Sequence, residues 1–106
     1  MIIHIKPLSV NEGYQGRRFK NKKYKAYEKE LMYKLKPMDI PKGKLKIIIQ
    51  YGFSSKLSDV DNPTKHFVDV LQKFHGFNDR DIYEMNLTKV HVKKGEEFID
   101  YKIEKL

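Results

Sequence analysis

The chain has 106 residues, 40% hydrophobic and 34% charged, so it holds one domain with a single modest core, residues 1–106, and is too apolar for a disordered chain. Its 22 Lys and Arg against 14 Asp and Glu give a net charge of +8, which suits a polyanionic partner. The lack of cysteine excludes disulfides and thiolate zinc sites, and no apolar run is long enough for a membrane span or signal peptide, so a cytoplasmic location is expected.

Ile2-Ile3-His4-Ile5 predicts a first strand, with Ile3 and Ile5 on one face, that ends at Pro7. From Leu8 to Lys20 no period is sustained, and a basic loop holding Asn11, Tyr14, Arg17 and Arg18 is expected. Between Asn21 and Lys36, Tyr24, Tyr27, Leu31 and Leu35 recur at helical spacing. This predicts an amphipathic helix, supported by the i,i+4 pair Glu30 and Lys34 and stopped by Pro37. Lys44 to Tyr51 alternates, with Leu45, Ile47, Ile49 and Tyr51 on one side. Ile48 breaks the pattern and implies a second face that is partly covered.

Gly52 to Ser58 is expected as a loop leading into a second helix from about Pro63 to His75, with Phe67, Val70, Leu71 and Phe74 on its buried stripe and Gly76 as its stop. Strands from Ile82 to Val92 and from Phe98 to Ile103 complete the chain. The order β-α-β-α-β-β implies a small α/β (α+β) domain, two helices packed on a mixed sheet whose last two strands form a hairpin.

The chemistry concentrates in Asp59-Val60-Asp61-Asn62-Pro63-Thr64-Lys65. In an extended segment residues i and i+2 share a face, so Asp59 and Asp61 can aim at one point. Asn62 suits an N-cap and Pro63 the first helical position. Lys65 in the first turn opposes the helix dipole, so local helix physics does not explain it. Asp79 and Asp81 follow the helix, which at about 20 Å is too long for the two acid groups to meet along its axis. They converge only if the Asp79 segment runs back beside the Asp59 segment. Hard oxygen ligands of this kind select Mg²⁺, with Mn²⁺ as a substitute.

Blander readings stand beside this one. One Asp can decorate a helix start, Asp79 and Asp81 can be turn acids, and Asp69 can pair with Lys73 on the helix surface. His4, His66, His75 and His91 lack zinc-like spacing and read as surface or sheet residues. Charge is segregated along the chain: residues 1–58 carry 14 Lys and Arg against 4 Asp and Glu, and residues 59–106 carry 8 against 10, so the halves are +10 and −2. Arg17, Arg18, Lys20, Lys22, Lys23 and Lys25, interleaved with Tyr14, Phe19 and Tyr24, form the strongest basic patch, suited to phosphate contacts.

Asp59-Val60-Asp61-Asn62-Pro63-Thr64-Lys65, Val68-Asp69-Val70-Leu71 and Gly76-Phe77-Asn78-Asp79-Arg80-Asp81-Ile82 together resemble the RusA family of Holliday junction resolvases. The similarity extends weakly to Pro7-Leu8-Ser9-Val10-Asn11 and the basic helix. The resemblance implies a homodimeric, Mg²⁺-dependent endonuclease, bacterial or phage-encoded, that resolves four-way DNA junctions by paired nicks. By the same resemblance, Asp59 and Asp61 match catalytic aspartates, Lys65 the catalytic lysine and Asp79 the third carboxylate. Family members often carry two adjacent acids where this chain has Asn78-Asp79 and a further acid at Asp81, so Asp81 stands as the alternative ligand. A non-catalytic junction-binding or architectural protein is the competing reading.

Overall fold

The computed structural model describes residues 1–9, 14–15 and 19–106, with residues 14, 15, 19 and 20 described by backbone alone. The elements are β1 (Ile2–Ile3), β2 (Tyr14–Gln15), β3 (Phe19–Lys20), α1 (Lys22–Lys34), β4 (Leu45–Phe53), α2 (Thr64–His75), a 3₁₀ turn (Asp79–Asp81), β5 (Ile82–His91) and β6 (Phe98–Lys105). The two helices and four-stranded mixed sheet form the expected β-α-β-α-β-β order. A two-residue ribbon, β2 paired with β3, is added where only loop was expected. The first strand is shorter than expected, and β4 runs on through Gly52 to Phe53.

The sheet order is β1-β6-β4-β5. β4 runs parallel to β5 and antiparallel to β6, and β6 is antiparallel to β1. The last two strands therefore do not form the expected hairpin; they flank β4. Hydrophobicity explains the choice. A β5–β6 hairpin would leave β4, with its Ile47-Ile48-Ile49 run, short of a neighbour, whereas this arrangement puts it in the interior and sends the polar β5 to the edge. α2 supplies the crossover that a parallel pair requires.

Register places Ile47 and Ile103, Ile49 and Tyr101, and Tyr51 and Ile99 side by side, with Ile3 next to Ile99. These residues are buried under Tyr24, Tyr27, Leu31 and Leu35 from the first helix region, and under Phe67, Val68, Val70 and Leu71 from α2. Phe74, expected on the same stripe, is only partly buried. Phe67 meets Tyr101 edge-on at 5.5 Å, and Lys73 of α2 reaches Glu28 of α1 at 2.7 Å. The opposite sheet face is largely polar, with Lys46 and Glu84 paired at 2.9 Å, and Ile48 is half-buried there. Among the described residues no helix is long and apolar enough to cross a membrane.

Candidate metal and nucleic-acid site

Residues 54–63 leave the carboxyl end of β4 and turn into α2. The turn is fixed from several sides. The Tyr51 and Thr64 hydroxyls share a buried hydrogen bond of 2.8 Å, which ties β4 to the first turn of α2. Thr64 N–H donates to the Asp61 carbonyl at 3.0 Å. From β5, Lys89 Nζ donates to the Ser58 carbonyl at 2.6 Å, and His91 Nε2 lies 3.2 Å from the Ser54 carbonyl.

The expected cap is displaced by one residue. Pro63, at φ −84° and ψ −4°, is the capping residue, without a side-chain cap bond. The Asn62 amide instead donates to Asp59 Oδ2 at 3.4 Å. Asp59 and Asp61 are both exposed. Lys65 is exposed and 3.8 Å from Asp69, so the acid one turn on offsets its unfavourable place at the helix start. Asp69 is thus partnered with Lys65 rather than with Lys73, which crosses to Glu28.

A cavity of about 270 Å³ opens beside Asp59, lined also by Lys6, Ser54, Ser58, Asn62 and Glu97. Glu97 is a carboxylate that sequence reasoning passed over. It accepts from the Ser54 hydroxyl and from the Gly95 N–H, each at 2.8 Å. Its own backbone N–H, then the Ser54 hydroxyl, hold its carboxyl below the ordinary range. Nothing in its local sequence signals this, because the contact joins the residue before β6 to Ser54, 43 residues earlier.

Asp79 and Asp81 lie at the other end of the sheet. Asn78 caps their turn by accepting from Arg80 N–H at 3.0 Å, and Asp79 N–H donates to Gln72 Oε1 at 2.8 Å. Ile82, which follows them, pairs with Leu45, whereas Asp59 and Asp61 come after Phe53. β4 is about 26 Å long from Leu45 to Phe53, and the two groups adjoin its opposite ends. The parallel course of β5 carries Asp79 away from Asp59, so the run-back that convergence requires does not occur within one chain. Asp79 shares a second cavity, of about 420 Å³, with Lys65, Val68, Asp69, Tyr83 and Met85. Among the described residues no three His, Asp or Glu are grouped to hold a metal ion.

Of the basic patch, Lys22, Lys23 and Lys25 are exposed at the start of α1, where Asn21 caps by accepting from Tyr24 N–H at 3.1 Å. Arg17 and Arg18 lie outside the described residues, and Lys20 is placed by its backbone on β3. The histidines divide. His4 and His91 are exposed, while His75 is half-buried with its Nε2 3.0 Å from the Tyr101 hydroxyl. His66, expected at the surface or in the sheet, is fully buried in α2 and edge-on to Tyr24 at 4.9 Å.

A scan against protein-family models and a search of curated proteins find no match to this chain.

Proposed function

We propose that the chain is a Mg²⁺-dependent endodeoxyribonuclease that nicks four-way DNA junctions as a homodimer, in the manner of the RusA family whose motif it resembles. The carrying observation is the position of Asp59 and Asp61. Both carboxylates are exposed on the loop after β4, at the carboxyl end of a parallel β4-α2-β5 unit, where α/β folds place their ligands. The oxygen-only donor set, carboxylates with carboxamide and hydroxyl groups alongside, fits a hard divalent cation. Such a cation, when bound, lowers the pKa of water and neutralises charge on the scissile phosphate.

The protein's own groups have separable tasks. Asp59 and Asp61 hold the cation; Asp79 and Asp81, the candidates for a third ligand, lie beyond the opposite end of β4 in the same chain. Asn62 orients Asp59 through its amide. Lys65 neutralises charge building on the phosphate. Lys22, Lys23 and Lys25, with Arg17, Arg18 and Lys20, hold the DNA arms by phosphate contacts. A cytoplasmic location belongs to the same reading.

The test is cleavage of a synthetic four-way junction in Mg²⁺. Asp61→Asn is expected to abolish nicking while junction binding is retained, and full activity in that variant sinks the reading. Equal rates on junction, flap, duplex and RNA at fixed salt would exclude a resolvase. The separation of the two acid groups within one chain favours a second reading, a junction-binding protein without catalysis. That reading requires tight binding and no metal-dependent nicking by the wild type.

A further inference from the structure

Four contacts grip the segment that leads from β4 to Asp59, and each comes from the end of β5 or the turn that follows it. Val92 N–H donates to the Phe53 carbonyl at 2.8 Å, and His91 Nε2 reaches the Ser54 carbonyl at 3.2 Å. Lys89 Nζ donates to the Ser58 carbonyl at 2.6 Å. The fourth joins side chain to side chain, from the Ser54 hydroxyl to Glu97 Oε2 at 2.8 Å.

Glu97 is rooted at its other end. Its Oε1 accepts from Gly95 N–H at 2.8 Å, inside a turn that Glu96 N–H closes on the Lys93 carbonyl at 2.9 Å. Each carboxylate oxygen thus holds one donor, the first in its own turn and the second in a loop 43 residues away. Ser54, Ser58, Asp59 and Glu97 all line the same cavity. With both oxygens engaged by the protein, Glu97 is suited to holding the loop, whereas Asp59 is exposed and met by the Asn62 amide at a long 3.4 Å. The two acids divide the work.

We infer that Glu97 is a positioning residue for the candidate cation site: through Ser54 it sets the loop conformation that presents Asp59. This rests on the metal-dependent reading given above. A loop released at Ser54 samples conformations in which Asp59 points elsewhere, and the apparent affinity for a cation falls with the fraction of time the competent one is occupied. No contact between Glu97 and the cation is needed.

The experiment measures the Mg²⁺ concentration that half-saturates junction nicking, the affinity for Mn²⁺ by electron paramagnetic resonance, and Tm. Glu97→Ala and Ser54→Ala are each expected to raise the Mg²⁺ requirement and weaken Mn²⁺ binding by about tenfold. The double variant is expected to do no worse than either single one, since both remove the same bond. Glu97→Gln is expected to recover most of the loss. Its carbonyl oxygen takes the Gly95 N–H while its amide donates to the Ser54 hydroxyl, which accepts as well as donates.

A Glu97→Gln variant as weak as Glu97→Ala overturns the inference, because the charge and not the hydrogen-bond geometry is then what matters. Additive losses in the double variant, or unchanged metal binding in Ser54→Ala, overturn it by confining Glu97 to its own turn. A lower Tm with Mn²⁺ affinity unchanged marks a purely structural bond and overturns it as well. A wild type that binds Mn²⁺ without nicking overturns the nuclease reading alone, and the same order of Mn²⁺ affinities among the variants then supports the inference. A wild type that binds no Mn²⁺ overturns both.

Discussion

The hydrogen bond between the Tyr51 and Thr64 hydroxyls carries more weight than its size suggests, because it is buried and fixes where α2 begins. Burial pushes the Tyr51 phenol up, so it stays protonated. Thr64→Val keeps the side-chain shape and leaves the Tyr51 hydroxyl buried without this partner, at a cost of about 1–3 kcal/mol. Urea unfolding checks this, and adding Tyr51→Phe is expected to recover most of the loss. At this scale the Asp59–Lys65 motif is visible in the sequence, since its residue types and spacing are local. Glu97 and the burial of His66 are not, because each depends on a contact with a distant element. Asn62 does not cap because α2 begins one residue later than expected, at Thr64, which puts Pro63 in the capping position.

Among the elements, β4 shows how one glycine shapes a pair of strands. Gly52 faces Phe98 across the ladder, and a Cβ added there would overlap two atoms of its ring. Gly52→Ala must displace the ring, and overpacking of this kind costs about 1–3 kcal/mol. A fall in Tm that Phe98→Leu partly reverses is the expected outcome of thermal unfolding, and an unchanged Tm contradicts the packing argument. The alternation in β4 and β6 and the apolar stripes of both helices were readable because one side of each is buried. β5 was expected from Ile82 to Val92 and runs Ile82–His91, but its alternation is imperfect for the corresponding reason. An edge strand exposed along its length has no face on which selection for apolar residues writes a period.

For the whole molecule, the segregation of charge predicts a polyanion held by the basic half and acted on by the acidic loops. Replacing Lys22, Lys23 and Lys25 together by Gln is expected to lower the slope of log binding constant against log salt by about 2–3, if each meets one phosphate. Titrating junction binding over a range of salt concentrations checks it, and an unchanged slope removes these lysines from the contact. The sequence by itself determined both helices, the four strands of the main sheet, their order and the Asp59–Lys65 motif, because each follows from local periodicity and residue type, but not the β2–β3 ribbon. Only the tertiary structure decided that β6 inserts beside β4 and that β5 runs parallel to β4 at the edge. Strand pairing is settled by which faces can be buried together, a competition among distant segments that no local pattern records. That choice sends the start of β5, and Asp79 with it, to the opposite end of β4 from the loop that carries Asp59.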